Sequence, residues 1–181
     1  MSKTPRTQFA CLSALRVAPM SGYKIVESCN VWFSHFWSES YGQIYPTLKK
    51  LLANGEVEKL PPQDGQRGDV YKITAKGRKT LEDWLQTPAS VPTLRDEYYL
   101  KFFSAGAVPV TLHLEHLDRK RQLLKDSLAS TKMSLEHLQT VPGTDTEYWK
   151  LMVRAGILSY EAELAWLDEA ETFLKQRKKR R

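Results

Sequence analysis

The chain has 181 residues, with 27 Lys or Arg against 21 Asp or Glu, a formal charge of +6 and an isoelectric point near 9.3. That length gives one mid-sized domain or two small ones, 41% hydrophobic residues are enough for a packed core, and the charge permits a nucleic-acid partner without requiring one. Three observations point to a protein of the reducing cytoplasm without a membrane partner: no apolar run approaches the ~20 residues of a membrane span, the opening "MSKTPRTQF" has no signal-peptide core, and Cys11 and Cys29 fall on apolar helix faces as free buried thiols.

From Gln8 to Val17, the residues Phe9, Cys11, Leu12 and Leu15 mark a short, largely buried helix that Ala18-Pro19 ends. Ser21 is placed to cap a second helix, in which Ile25, Cys29, Trp32, Phe33 and Phe36 recur at three- and four-residue steps. The stretch "SYGQIYPTLKKLLANGE" from Ser40 is the third helix. Leu48, Leu51 and Leu52 share one face, Lys49 and Lys50 the other, and Asn54-Gly55 is its stop. Its beginning is poorly built, because Gly42 and Pro46 are weak helix formers.

Past Gly55 the apolar period changes from 3.6 to 2. "EVEKL" and "DVYKIT" are strand-like, with Val57, Tyr71 and Ile73 on their apolar sides, and the polar "PPQDGQRG" joins them as a hairpin. Thr74 then caps a fourth helix with Leu81, Trp84 and Leu85 inward. Helix, helix, helix, hairpin, helix is the order of a winged helix-turn-helix. "TPASVPT" follows as a proline-punctuated linker.

Leu94, Tyr98, Phe102 and Phe103 make a short apolar helix. A heptad pattern comes next: Leu114, Leu117, Leu124, Leu128, Leu135 and Leu138, with Arg121 and Thr131 at the remaining seam positions. Pro142-Gly143 breaks it. The last helix repeats it through Tyr148, Met152, Ala155, Ser159, Ala162, Trp166 and Phe173, giving a helical hairpin. Such a hairpin cannot bury both of its sides. Leu151, Leu158, Leu164 and Leu167 widen its apolar surface, and Ala155, Gly156, Ser159 and Ala162 leave room for a second helix, so a second copy is expected. The expected interface is Leu151, Met152, Ala155, Leu158, Ser159, Ala162, Trp166 and Phe173.

The fold class expected is mainly α: a winged helix-turn-helix with a two-stranded wing over 1–87, a linker over 88–94, and a helical dimerisation and effector-sensing domain over 95–181. Catalytic chemistry finds no support. His113 and His116 could start a metal site, but no third ligand stands at a useful spacing, and no phosphate loop, nucleophile elbow or cysteine-pair motif is present. No metal and no cofactor are expected. The basic tail "KQRKKRR" fits a solvated end or a DNA contact equally well.

Four segments, "PMSGYKIVES", "FWSESYGQIYPTLKKLLANGEVE", "GDVYKITAKGRKTLEDWL" and "RDEYYLKFF", strongly resemble the PadR family of bacterial transcriptional regulators, from about Leu12 to Phe103. The longer C-terminal region resembles the branch that includes regulators of phenolic-acid decarboxylation. The resemblance implies a homodimeric repressor on a pseudo-palindromic double-stranded DNA operator, released by a small phenolic or other aromatic effector. The competing reading is a winged helix that binds protein and no DNA; Lys49 and Lys50 beside Gln43 argue for DNA.

On the DNA reading, the third helix enters the major groove by its N-terminal end. Gly42 would let the backbone pass close to the duplex, and Pro46 would tighten the first turn. Gln43 would pair with adenine and Tyr45 would meet a base edge or phosphate. Lys49, Lys50 and the start of the second helix at Ser21 and Tyr23 would meet phosphates, Lys72 the backbone, and a wing arginine, Arg67, would reach a minor groove; Tyr41 is either a further DNA contact or packs in the core beside Ile44 and Leu48. The aromatics available to line an effector site are Trp32, Phe36, Trp37, Tyr98, Tyr99, Trp149 and Trp166.

Overall fold

The computed structural model of the chain describes residues 6–32, 36–61, 68–91, 95–143 and 145–179. Arg67 and Gln66 at the wing tip, Phe33, Leu94 and the side chain of Trp32 lie outside the described residues. The chain divides into two compact units, one up to Ser90 and one from Val91 onward.

The first unit runs α1 (Thr7–Val17), β1 (Met20–Ser21), α2 (Gly22–Trp32), α3 (Tyr41–Ala53), β2 (Val57–Lys59), β3 (Val70–Ile73) and α4 (Ala75–Leu85). The expected hairpin is present as β2 and β3, with Val57 opposite Ile73 and Lys59 opposite Tyr71. A third strand adds to it: β1 pairs antiparallel with β3, Met20 opposite Tyr71, giving the order β1-β3-β2. Two residues are too few to carry a period, so only the pairing reveals this strand.

One core holds the unit together, built from Leu12 and Leu15 of α1, Ile25 and Cys29 of α2, Ile44, Leu48 and Leu51 of α3, and Ile73 and Leu81. Burial pushes the thiols of Cys11 and Cys29 up, the latter to about 11, so both stay protonated and unreactive at neutral pH. The α2 pattern does not extend as far as its sequence suggests: Phe36 lies past Trp32 in a turn and is exposed. Trp84 and Leu85, expected inward, are also exposed, because α4 turns only Leu81 and Gly77 into the core.

The end of α3 is a glycine stop. Gly55, at φ 70°, is in the left-handed region, and its N–H and that of Glu56 return to the carbonyls of Leu52 and Leu51 at 3.0 and 2.9 Å. Next to it, α4 starts on Thr74, whose hydroxyl accepts from the Gly77 N–H at 3.1 Å. A Cβ on Gly77 would stand 2.0 Å from the Glu56 carbonyl oxygen, so only glycine allows this approach.

The second unit runs α5 (Glu97–Phe103), a short 3₁₀ turn (Ala105–Ala107), α6 (Val110–Leu138) and α7 (Thr146–Lys179). The α6 seam follows the heptad, with Leu117, Leu124 and Leu138 buried. Arg121 reaches α7 to pair with Asp168 and, at 2.6 Å, with Glu171. The α7 seam is displaced from the expected one. Val153, Gly156, Ile157, Leu167, Ala170 and Leu174 are buried, while Tyr148, Ala155, Ser159, Ala162 and Phe173 are exposed. Leu167, expected on the outer surface, is fully buried. Apolar residues stand on two adjacent stripes of α7, and the heptad phase alone did not say which one meets α6.

Candidate nucleic-acid interface

The exposed face of α3 carries Tyr41, Gly42, Gln43, Tyr45, Pro46, Lys49 and Lys50, while Ile44, Leu48 and Leu51 anchor the opposite face in the core. The beginning of α2 lies beside it. The Ser21 hydroxyl accepts from the Lys24 N–H at 3.2 Å, as a helix cap does. Tyr23, Tyr41 and Tyr45 form a row of stacked rings, with centroids 6.0 and 6.4 Å apart. They are 57%, 49% and 47% exposed, so none belongs to the core. Desolvation pushes the Tyr41 hydroxyl up, and the Tyr23 and Tyr45 phenols add to this, so at neutral pH it is an uncharged donor.

Gly42 is not required by the chain itself: a Cβ there would meet only the Ser40 Oγ, at 3.8 Å. The space it leaves is outside the protein. Pro46 is the sixth residue of α3; the helix is α from Tyr41 on, and its start carries one 3₁₀-type bond, from the Gln43 N–H to the Ser40 carbonyl at 3.0 Å, beside the α-type bond from the Ile44 N–H to the same oxygen at 3.0 Å. Having no N–H, Pro46 leaves the Gly42 carbonyl without its intrahelical donor.

Gln43 has an unexpected role. Its Oε1 accepts from the Ser40 N–H at 3.0 Å and from the Ser40 hydroxyl at 2.7 Å, closing a capping box. The spacing Ser-x-x-Gln was the available signal for this box. Adenine reading by Gln43 would have to compete with it, since only the amide nitrogen is uncommitted.

Lys49 and Lys50 are exposed, and among the described residues neither is held in an ion pair. Lys72 is exposed on β3 but lies 3.5 Å from Glu58 on β2, which offsets part of its charge.

The aromatics considered for an effector separate into different settings. In the first unit, Phe36 and Trp37 line a cavity of about 740 Å³ with Phe9, Trp84 and Arg6. Phe9 stacks on Trp84 at 4.4 Å and 7°, Arg6 donates to the Ser90 hydroxyl at the rim, and the Trp37 indole donates to Glu39 at 2.7 Å. Sequence periodicity gave no sign of this cavity: it placed Trp84 in the core, where the structure leaves it exposed, and Phe9, buried as expected, also lines the cavity.

In the second unit, Tyr98, Tyr99 and Trp166 pack on one another, with Tyr99 and Trp166 centroids 5.0 Å apart. The Lys120 ammonium stands 4.8 and 5.0 Å over the two tyrosine rings and pairs with Asp96 and Glu163. Burial and the hydrogen bond to Glu163 push the Tyr99 hydroxyl up to about 12. Trp149, half-buried, is 17 positions before Trp166 on α7, roughly 25 Å along the helix. His113 is buried with its Nε2 2.8 Å from the Ala105 carbonyl, and no group of three or more potential metal ligands occurs among the described residues. No helix among them is long and apolar enough to cross a membrane.

Residues 11–83 match the Transcriptional regulator PadR-like family, and residues 94–175 match the Virulence activator alpha C-term family. The negative transcriptional regulator PadR of Bacillus subtilis is 31% identical over 158 residues, covering 86% of this chain and 80% of that protein. The chain belongs to the PadR-like family of transcriptional regulators. Solved PadR-like structures share its fold. The regulator BC1756 from Bacillus cereus matches with a TM-score of 0.81 at 23% identity, covering 94% of this chain and 99% of its own. Bacillus subtilis PadR in complex with operator DNA matches at 0.80 and 25%, covering 92% and 96%. The same protein in complex with p-coumaric acid matches at 0.73 and 24%, covering 97% and 99%.

Proposed function

We propose that the chain is a homodimeric repressor that binds double-stranded DNA through residues 1–87 and releases it when a small aromatic effector binds. The observation that carries the DNA reading is the row Tyr23, Tyr41 and Tyr45, exposed at the joined starts of α2 and α3 with Lys49 and Lys50 one turn further on. Rings and hydroxyls at a helix start suit sugar, phosphate and base edges, and the lysines suit phosphate. The operator complex of Bacillus subtilis PadR supports the assignment. Two copies would read half-sites about one helical turn (~34–36 Å) apart, or a multiple of that. The exposed stripe with Leu151 and Leu158 on α7 supplies the surface for the second copy.

The effector reading rests on the p-coumaric acid complex of the same relative and on the cavity beside the Phe9–Trp84 stack. A cavity of this size, apolar with one arginine, suits a planar aromatic acid. The ligand can act only through different affinities for the DNA-competent and released states. Selection of duplexes from a random pool by the purified protein is the test. Enrichment of a pseudo-palindrome supports the reading, and failure to enrich any sequence at low salt overturns it. Phenolic acids are then titrated against the selected duplex while Trp fluorescence is followed; unchanged affinity across the series removes the effector.

A further inference from the structure

Gly22 begins α2, and its backbone does not require glycine. Its φ is outside the left-handed region, where the described glycines are Gly55, Gly68 and Gly143. Space requires it instead. A Cβ on Gly22 would stand 2.8 Å from Tyr45 Cε1, 3.0 Å from Tyr45 Cζ and 3.2 Å from Leu48 Cδ1. The Tyr45 ring, one helix away in sequence, lies directly against the bare backbone of the first turn of α2. Tyr45 stacks on Tyr41, and Tyr41 on Tyr23, so one end of the tyrosine row is seated on Gly22.

We infer that Gly22 is a positioning residue for DNA binding: it sets the place of the Tyr45 ring and, through it, the register of the three tyrosines. This rests on the DNA reading proposed above. The chemistry of the clash makes the role separable from folding. The atoms in the way are the far end of a half-exposed side chain that can swing outward, not backbone. A methyl group at this position therefore moves the ring at little cost to the core, and Leu48 has only a few tenths of an ångström to give. Glycine at a helix start is otherwise replaceable, since alanine is the better helix former.

The experiment is a double-mutant cycle of Gly22→Ala and Tyr45→Ala, read as affinity for the selected duplex and for a scrambled one, with thermal melts of all four proteins. Gly22→Ala should weaken binding roughly tenfold, the size of one displaced contact, with a nearly unchanged melting temperature. In the Tyr45→Ala background the same substitution should cost almost nothing, because the ring it displaces is gone. An equal loss in both backgrounds would mean that the methyl group acts through Leu48 or the helix start, and would overturn the inference. So would full affinity of the single variant. If Tyr45→Ala alone leaves affinity intact on both duplexes, it is the placement of Tyr45 on DNA that fails, a separate result from loss of the Gly22 coupling. Should Gly22→Ala melt early, Gly22→Ser, which carries the same Cβ, together with the cycle's Tyr45→Ala arm, still shows whether the loss depends on the ring.

Discussion

The two units treat their apolar residues in opposite ways. The winged unit gathers residues from four helices and the sheet around a single closed core, and its large exposed rings concentrate at the starts of α2 and α3 and at one cavity. The helical unit has a narrower core along one seam, and it leaves Leu100, Phe103, Leu123, Met133, Tyr148, Leu151 and Leu158 exposed. A hairpin of two long helices has one inside face, so an apolar second face signals an unfinished assembly rather than a finished domain. The winged unit has the features of a domain stable alone; the helical unit has those of half a domain.

The strongest way to break this contrast is to make the second face polar. Leu151→Glu with Leu158→Glu, at sites 67% and 56% exposed in the single chain, should leave helicity intact yet abolish self-association. Two leucines buried at an interface contribute on the order of 3–6 kcal/mol. Sedimentation equilibrium decides it, and an unchanged dimer would refute the half-domain view. Trp166 is a poorer probe, because truncating it would also unpack Tyr98, Tyr99 and Phe102.

The closed core of the winged unit is probed at Gly77. Gly77→Ala forces a methyl group against the Glu56 carbonyl, a backbone atom that cannot swing aside. The cost should be about 1–3 kcal/mol or more, seen as a lower denaturation midpoint of the winged unit with the helical unit unaffected.

On DNA, Lys50→Ala should weaken selected and scrambled duplexes alike and lower the salt slope by about one unit. Gln43→Ala sharpens the picture of α3. Loss of the capping box costs about 1 kcal/mol of stability, and a further loss confined to the selected duplex would show that the amide also reads a base. Calorimetry and binding titrations separate the two.

The smallest effect concerns acid. Burial opposes ionisation of Asp96, but the Lys120 ammonium and the Tyr98 N–H outweigh it and hold its carboxyl below the ordinary 3.8. A depressed folded-state value means that Asp96 stabilises the helical unit above the unfolded value, and that this is lost as pH falls through the folded one. Trp166 fluorescence should therefore change on acidification below 3.8, and Asp96→Asn should remove that step.

Much of the fold was legible because its signals are local. Leu48 and Leu51 on the period of α3, Gly55 at its end and Thr74 before α4 each act within one turn. What the sequence hid depends on contacts distant along the chain. The two residues of β1 become a strand only by pairing with Val70 and Tyr71. Phe36 continues the period of α2, yet it stands in a turn and is exposed. On α7 both stripes are apolar, so the true seam of Val153, Ile157 and Leu167 could not be told from its neighbour. At the candidate interface the exposed positions of α3 follow from the same period that buries Ile44 and Leu48. The commitment of Gln43 to Ser40 had a signal in the Ser-x-x-Gln spacing, whereas the seat of Tyr45 on Gly22 is a matter of side-chain direction, which spacing does not carry.

Glu56 gives the winged unit a mechanical property. Its carbonyl oxygen accepts from the Thr74 N–H at 3.1 Å with Gly77 pressed against it, and its carboxylate accepts from Thr80 at 2.8 Å and from Asn54 at 3.2 Å. One residue thus bolts the end of α3 to both the close of the hairpin and the first turns of α4. The end of α3, the base of the hairpin and the start of α4 share one joint, so a displacement of any of them at this point is felt by the other two.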